Sequence, residues 1–368
     1  MNTFQRSKLK YEAKDTPEQV FREIRQKADT YFAENKYKKS ANKRMWIKVA
    51  IQIAMMLVAY YCVLTATSLL TLTISYLLFG WVFIIMGINI GHDAAHHCFT
   101  GKKKTDDFVF RSLFGLQGLS GYLWQMRHNH SHHIFPNVVE NDADIVLTNL
   151  ILLSPDQKRA WFHRYQHLYA PFLYMTFSLA WIFYTDIALF FHKKQGNLTI
   201  APIPIKEWVK LFSYKLIYLA WVLVLPIYIV QLPFKEVLYA FFIMHAFLSI
   251  FLAFTFFISH HVQEIDYIEL EAGQNMVPDS WCHHQVITTI DFNPNSNIAH
   301  FIFGGFNTHI AHHLFPEVSH IHYPALTNII KETFDAHDLD WYKSFSFWQG
   351  VRSHLSHLRA IAREDIAH

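Results

Sequence analysis

Three groups of closely spaced histidines are the side chains in this sequence most able to do chemistry. They lie at residues 92–97, 128–133 and 309–313. Histidines three or four residues apart share one face of a helix. Each group can therefore direct two or three imidazoles at one point, as a bound metal ion requires. One such group alone is equally consistent with solvated surface histidine, but three together favour a metal site.

The number of these histidines exceeds what one metal ion needs. A structural zinc site takes four ligands and commonly uses cysteine. The well-spaced histidines here are His92, His96, His128, His132, His133, His309, His312 and His313. The three cysteines stand far apart, which indicates neither a zinc ribbon nor a disulfide framework. Imidazole binds iron, copper, zinc and nickel, so the pattern predicts two metal ions without selecting the element.

Other histidines do not share this pattern. His97, His130 and His261 each stand beside a predicted ligand, and any of them could replace its neighbour. His245 lies inside a long apolar stretch, where an ionisable side chain is a functional candidate. The histidines expected to be solvated or interfacial are His163, His167, His354 and His357.

The histidine groups flank segments long enough to cross a membrane. The chain is 52% hydrophobic, and residues 49–91 contain no Asp, Glu, Lys or Arg. That run suits two crossings of about 20 residues, joined by a turn near residues 65–71. Basic residues flank both ends, at positions 43–48 and 102–104. By the positive-inside rule both ends are cytoplasmic, and the charges give no reason to expect nucleic-acid binding.

Three further apolar stretches decide where the third histidine group lies. They span residues 168–191, 216–234 and 237–259. The last two, joined by a short proline-containing turn, suit an antiparallel pair. The first carries Asp186 with many Tyr and Trp, which suits an in-plane or re-entrant segment. We therefore predict an all-α integral membrane fold with four transmembrane helices as two hairpins, in-plane helices, and a helical cytoplasmic cap that holds the metals.

The ends of the chain are more polar than its middle. Thr16-Pro17-Glu18-Gln19 predicts that Thr16 caps a helix running from Pro17 to Asn35. No basic segment leads into a short apolar stretch with a cleavage site, so no secretory signal peptide is predicted. The predicted divisions are an N-terminal cytoplasmic helical segment (1–45), a membrane domain with the histidine-bearing cap (46–335) and a C-terminal helical tail (336–368).

Together the three groups resemble the histidine motifs of the membrane fatty-acid desaturases. Motif one, residues 92–96, reads His-Asp-x-x-His, and motif two, residues 128–133, reads His-Asn-x-x-His-His with an Asn at 137. Motif three, residues 309–313, is followed by Leu-Phe-Pro and then by His-Ile-His-Tyr-Pro-Ala-Leu. The resemblance covers about residues 41–330. It is closest to bacterial acyl-CoA desaturases of the linoleoyl-CoA or front-end type, through the segments around His260 and from Trp281 to Thr289.

The resemblance implies a ligand set and a cofactor. In that family a histidine at the position of His260 adds a ninth ligand, and two iron ions are bound. The implied ligands are His92, His96, His128, His132, His133, His260, His309, His312 and His313. Candidates to orient the imidazole rings from outside are Asp93, Asn129 and Asp144. No separate catalytic acid or base is assigned.

The implied activity is the O2-dependent formation of a cis double bond in a fatty-acyl chain. Two electrons must come from a separate donor, a ferredoxin or a cytochrome b5 with its reductase, because the sequence has no His-Pro-Gly-Gly haem motif. The acyl chain, carried on coenzyme A, a lipid or acyl-carrier protein, is expected in a tunnel lined by residues 75–90 and 240–257 among membrane lipids. The bacterial plasma membrane is the expected location.

Three questions stay open on the sequence alone. Front-end enzymes usually begin motif three with Gln, whereas this chain has His309, so the position of the double bond is not determined. A hydroxylase of the same superfamily would use the same metal ligands. A metal transporter would place its histidines near the middle of the crossing helices, whereas those here lie at helix ends.

Overall fold

The computed structural model describes residues 4–145, 148–271 and 273–363, which are mostly helical. Several helices contain 3-10 or π turns. In chain order the helices are α1 (Asp15–Glu34), α2 (Lys43–Leu64), α3 (Leu69–Ala95), α4 (Lys103–Leu116), α5 (Gly121–Arg127), α6 (Trp161–Tyr174), α7 (Phe177–Phe191), α8 (Ile205–Ile229), α9 (Phe234–Phe257), α10 (Trp281–Ile287), α11 (Asn297–Phe303), α12 (His309–Leu314), α13 (Tyr323–Ala336) and α14 (Phe347–Ile361).

Four of the described helices, α2, α3, α8 and α9, are long and apolar enough to cross a membrane. Helix α3 is central, since α2 and α9 both pack along it. It begins with a capping box in which Ser68 and Thr71 each accept a hydrogen bond from the other's amide. That cap satisfies amides that the first helical turn leaves free. The turn between α2 and α3 therefore falls at 65–68, within the predicted range.

Helices α6 and α7 are bent against each other by 78°. Together they pass the same test of length and composition, as a broken span or a re-entrant loop. Asp186 of α7 accepts hydrogen bonds from the Ser120 amide and from the buried amine of Lys215 in α8. The carboxylate that set this stretch apart in the sequence is thus paired inside the protein.

The remaining helices form a cap over one end of this bundle. Helix α1 packs on α13 through Val20, Ile24 and Phe334. Helix α14 packs on α6, where Gln166 donates a hydrogen bond to the Leu358 carbonyl. The helices nearest the two ends of the described chain are therefore packed onto other helices of the fold.

The described residues also form short strands, so the fold is mostly helical and not all-α as predicted. Strand β1 (Phe4–Arg6) pairs antiparallel with β4 (Leu198–Ile200), which also pairs with β3 (Lys194–Gln195). Two parallel pairs join β2 (Lys10–Tyr11) to β5 (Met276–Val277) and β6 (Asp291–Phe292) to β7 (Ser344–Phe345). Each strand has only two or three residues, too few for an alternating pattern to show in the sequence.

Two predicted helix boundaries are wrong. Helix α1 begins at Asp15 after an uncapped Lys14, so Thr16 lies inside the helix. Pro17 is tolerated there because amides of the first turn have no partner within the helix. Helix α8 begins at Ile205, eleven residues before the predicted start at 216. Its early turns carry charges, but Glu207 is paired with Lys210.

Candidate metal centre

Motif one follows a π turn near the end of α3. Residues Gly87–Gly91 form this turn, and His92–Ala95 then resume the α-helix up to His96. A π turn admits one extra residue and is frequent at functional sites. The rings of His92 and His96 end 4.8 Å apart, centroid to centroid. The predicted shared face is therefore present, although the helix leading to it is not regular.

Motif two is itself a π turn that extends α5. It covers His128–His132, and the amide of His133 donates to the carbonyl of His128 across 3.0 Å. A hydrogen bond between residues five apart brings their side chains to the same face of the turn. The Nε2 atoms of His128 and His133 consequently lie 3.1 Å apart.

Motif three lies on α12. Two glycines and one carboxylate hold this helix in position. Gly304 and Gly305 have φ angles of 54° and 92°, and a Cβ on Gly305 would lie 2.8 Å from Cβ of His320. Glycine tolerates both the positive φ angles and the close approach to His320, because it has no Cβ. Buried Asp291 accepts hydrogen bonds from the Ile310 amide and the Tyr342 hydroxyl, and burial raises the pKa of Asp291 to about 6.

The structure gathers eight of the nine predicted ligands into two adjoining clusters, with the ninth between them. Cluster A contains His92, His96, His128 and His312, and cluster B contains His132, His260, His309 and His313. Within each cluster, one ring nitrogen from every histidine lies within 4.8 Å of the others. His133 lies between them, its ring centroid 4.4 Å from that of His312 and 4.5 Å from that of His313. Helix and turn backbone thus holds all nine rings together.

The spacing of the ring nitrogens fits metal coordination. The Nε2 atoms are 3.2 Å apart for His92 and His128 and 2.9 Å apart for His260 and His309. Two metal–nitrogen bonds of about 2.1 Å at a right angle place their nitrogens about 3.0 Å apart. The buried Nε2 atoms without a hydrogen-bond partner among the described residues include those of His96, His312 and His313. Metal ions in the two clusters would satisfy these atoms.

Burial keeps most of these imidazoles neutral. Loss of hydration, followed by repulsion from neighbouring imidazoles, holds the pKa well below its usual 6.5 in His96, His133, His309, His312 and His313. Burial also acts to lower the pKa of His132, but the charge of Asp142 outweighs it and the pKa is raised. Neutral imidazole is the form that binds metal, so the clusters suit metal binding at neutral pH.

A second set of residues fixes the orientation of the rings. The Nδ1 atom of His132 lies 3.0 Å from Oδ2 of Asp142, and that of His313 lies 2.8 Å from Oε1 of Gln285. The Nδ1 atom of His312 lies 3.1 Å from the Tyr323 hydroxyl, and that of His260 lies 2.9 Å from the Thr288 carbonyl. Such contacts set which nitrogen faces a metal. Nothing in the sequence predicts this role for Asp142, Gln285 or Tyr323.

The three residues that were predicted to orient the ligand rings make different contacts. Asp144 is 3.7 Å from Nδ1 of His128 and pairs with the buried Arg127. Asp93 instead contacts His320, with 2.9 Å between its Oδ1 and Nδ1. Asn129 donates to the Ala95 carbonyl. Among these, only Asp144 approaches a predicted ligand within 4 Å in the described contacts.

The neighbouring histidines stay outside both clusters. His97 has a φ of 59° and lies 2.9 Å from Asp107. His130 stacks on Phe4, and His261 contacts the Tyr267 hydroxyl. The expectation that His163, His354 and His357 are solvated is wrong, because all three are buried. Their rings are hydrogen-bonded instead to main-chain carbonyls and, for His354, to a tyrosine.

Two small apolar cavities, of about 30 and 40 Å³, follow one another from cluster A into the membrane helices, and we call the pair the channel. They share Ile84, Gln117, Leu119, Trp181 and Leu252. The upper cavity touches His92, and the lower one reaches Gly80 and Met244. At its far end His245 lies 2.7 Å from Ser178 Oγ and 2.6 Å from the Tyr218 hydroxyl. The lining from α3 and α9 falls within the predicted ranges 75–90 and 240–257.

Comparison with known proteins gives consistent matches over most of the chain. The family model described as fatty acid desaturase matches residues 66–345. The chain is 30% identical to the acyl-lipid (8-3)-desaturase of Physcomitrium patens over 97% of this chain and 74% of that protein. It is 28% identical to the sn-1 linoleoyl-lipid 6-desaturase of Synechocystis sp. (95% and 98% covered), and 27% identical to that of Arthrospira platensis (93% and 92% covered).

Proposed function

The chain belongs to the fatty acid desaturase family, and we propose that it forms a cis double bond in an acyl chain held beneath two histidine-bound iron ions. The observation that carries this proposal is the position of cluster A at the mouth of the apolar channel. An acyl chain in the channel would pass beside His92 and Phe306, which line its upper part. Its methylenes would then lie next to the metal ligands.

One ion would be held by cluster A and the other by cluster B, with His133 completing the nine ligands. The proposal rests on the approach of the Nε2 atoms and on the unpaired nitrogens of His96, His312 and His313. Imidazole alone does not select the element, and iron follows from the resemblance of the motifs. When bound, the iron pair would activate dioxygen and so supply the power to oxidise a methylene that amino-acid side chains lack.

The overall reaction balances with one dioxygen. A –CH2–CH2– unit becomes –CH=CH– and gives up two hydrogens with two electrons. Two further electrons and two protons come from outside, and dioxygen leaves as two waters. A ferredoxin or a cytochrome b5 with its reductase would donate the electrons.

The protein's own contribution is orientation and the exclusion of water. Asp142, Gln285 and Tyr323 hold three ligand rings. All nine predicted ligands except the partly exposed His96 are buried. A dry, rigid site of this kind keeps an unactivated methylene and the oxidant together while limiting side reactions. Buried ligands at helix ends also argue against a transporter, whose ion must enter and leave readily.

We propose that α2, α3, α8 and α9 cross the membrane as two hairpins and that the α6–α7 pair enters and returns on one side. Four crossings then leave the cap on the side of the basic residues 43–44 and 102–104, which the positive-inside rule assigns to the cytoplasm. The division of the chain at residues 45 and 335 stays a prediction, as does location in a bacterial plasma membrane.

We propose a lipid-linked acyl substrate in place of the acyl-CoA that the motifs suggested. The relatives named above are an acyl-lipid desaturase and two linoleoyl-lipid desaturases. Their names place double bonds at different positions, so the position in this chain's product is left to experiment.

The test is lipid mass spectrometry on an aerobic host that expresses the intact chain, His312→Ala or His97→Ala. We expect fatty acids two hydrogens lighter with the intact chain and with the control His97→Ala, and none with His312→Ala. The carrier is read from the lipid class that holds the product, and the position from fragmentation. A product one oxygen heavier would identify a hydroxylase and overturn the proposal.

A further inference from the structure

A buried ion pair joins two of the apolar helices beside the channel. Asp186 of α7 and Lys215 of α8 are both buried, with Oδ2 and Nζ 3.1 Å apart. Stability alone does not require such a pair, because two apolar residues of similar volume are often as stable. Ionisable residues inside membrane segments are therefore functional candidates, and the proposed reaction has so far used neither side chain.

The pair holds a turn that connects α4 to α5. We call residues 117–120 the wall turn. Oδ2 of Asp186 accepts a hydrogen bond from the Ser120 amide across 2.7 Å, and Nζ of Lys215 donates one to the Gly118 carbonyl across 3.2 Å. Gly118 has a φ of 77°, which favours glycine. The backbone of the wall turn is thus bound to α7 and to α8.

The other two residues of the wall turn form part of the channel. Gln117 and Leu119 line both of its cavities. The side-chain amide of Gln117 donates to the Phe83 carbonyl across 2.6 Å, and a Cβ at Gly87 would lie 2.9 Å from that amide. Backbone groups of alternate residues therefore bind the ion pair, while the side chains between them face the path of the acyl chain.

The wall turn also leads into the helix that stacks on a predicted metal ligand. Helix α5 begins one residue after the amide that Asp186 binds. Its Trp124 lines the upper cavity and stacks on His128, with ring centroids 4.4 Å apart. Motif two has a further anchor of its own, since Asp142 contacts the ring of His132. Loss of the ion pair should therefore loosen the channel wall without removing the ligands.

We propose that the Asp186–Lys215 pair determines the position of the new double bond by fixing the wall turn beside cluster A. This inference rests on the proposed function. Neighbouring methylenes lie about 1.25 Å apart along an extended chain, and a misplacement of about 1 Å can change a rate about 100-fold. A wall that shifts by that distance would present a different methylene to cluster A. Neither residue lines a channel cavity, so both are positioning residues.

The test removes the pair and locates the double bond. Asp186→Leu with Lys215→Met is compared with Glu207→Leu with Lys210→Met, which removes a 2.9 Å ion pair of α8 without a described hydrogen bond to the wall turn. Products from one acyl lipid of defined length are located by fragmentation. The ratio of the main isomer to its one-carbon neighbours should fall about 10- to 100-fold in the first variant. The control should keep the ratio of the intact chain, and both variants should keep its iron content.

Hydrogen exchange of the metal-free protein gives a readout that needs no turnover. The Ser120 amide should exchange about tenfold faster in the Asp186–Lys215 variant, while exchange in motif two stays as in the intact chain. Asp186→Asn with Lys215→Met keeps an acceptor for the Ser120 amide without a charge. Its exchange and isomer ratio should lie between those of the other two proteins, and it replaces the first variant if that variant does not fold.

The outcomes separate this inference from the proposed function. If the intact chain formed no double bond, the proposed function would fail, whereas faster exchange at Ser120 would still show that the pair holds the wall turn. An unchanged isomer ratio in the folded variant, unchanged exchange at Ser120, or an iron content below about half that of the intact chain would each overturn the inference.

Discussion

Gly80 offers the most direct test of where the acyl chain lies. It lines the lower cavity of the channel on α3. A Cβ added at this glycine would overlap Cγ of Met244 and would lie 2.9 Å from its Sδ and 3.1 Å from Cδ2 of Leu248. In Gly80→Ala these two lining side chains must therefore move, and the channel narrows at this level.

The position of the narrowing at residue 80 gives the length of the acyl chain that would reach it. Gly80 precedes His92 by 12 residues, which is about 18 Å along a helix at about 1.5 Å per residue. An extended chain rises about 1.25 Å per methylene, given C–C bonds of about 1.5 Å. About 14 carbons beyond the reacting methylene would therefore reach the block.

The expected effect is selective for chain length. Forcing an extra methyl group into a packed site costs about 1–3 kcal/mol, so kcat/KM for the longest substrates should fall about 5- to 150-fold. Chains shorter by two to four carbons should be processed as before. The assay is turnover of acyl lipids of graded length by purified enzyme with a reductant, together with a thermal melt to check folding.

A compensating variant gives the control. Met244→Ala removes the side chain that the new methyl group strikes, so Gly80→Ala with Met244→Ala should recover the long substrates. An equal loss for all lengths in a folded Gly80→Ala protein, or no loss for any length, would refute the assignment of this channel to the acyl chain.

Three further predictions concern the metal centre. Iron analysis of His312→Ala should find less than half of the iron bound by the intact chain, while His97→Ala should bind a normal amount; equal iron in both would contradict the assignment of cluster A. Asp142→Asn should lower iron affinity about 10- to 100-fold in a chelator competition, whereas Asp107→Asn, beside His97, should not. The metal-free protein should lose stability as the pH falls below about 6.5. In the folded protein the pKa values of the buried His309, His312 and His313 are well below 6.5, so the unfolded chain binds more protons than the folded one at that pH. A melting temperature that does not change from pH 7 to pH 5 would contradict this.

Much of the site could be predicted because histidine spacing and helix geometry are local. Residues four apart converge on one helix face whatever the rest of the fold does, as His92 and His96 show. The long apolar runs likewise placed α2, α3 and α9 closely. The contacts of Gln285 and Tyr323 could not be predicted from the sequence. Gln285 is 28 residues from His313 and Tyr323 is 11 residues from His312, and no periodicity links either residue to its histidine.

Burial of polar residues was the main source of error. His163 and His354 were expected to be solvated or interfacial, yet both are buried. Each is accommodated by a partner that only the tertiary fold supplies: the Asn149 carbonyl for His163, and the Tyr174 hydroxyl with a main-chain carbonyl for His354. A buried polar group is tolerated when it is hydrogen-bonded, and such pairings are not visible in composition.

The π turn of motif two explains how one short segment contributes rings to both histidine clusters. On a regular α-helix at about 100° per residue, His133 would point about 140° away from His128. The π turn instead brings the two rings together edge to face, while His132, four residues after His128, belongs to cluster B. Adjacent His312 and His313 divide in the same way between the clusters. The separation of the two clusters is therefore set by neighbouring backbone residues, which would suit the proposed reaction if each cluster holds one ion.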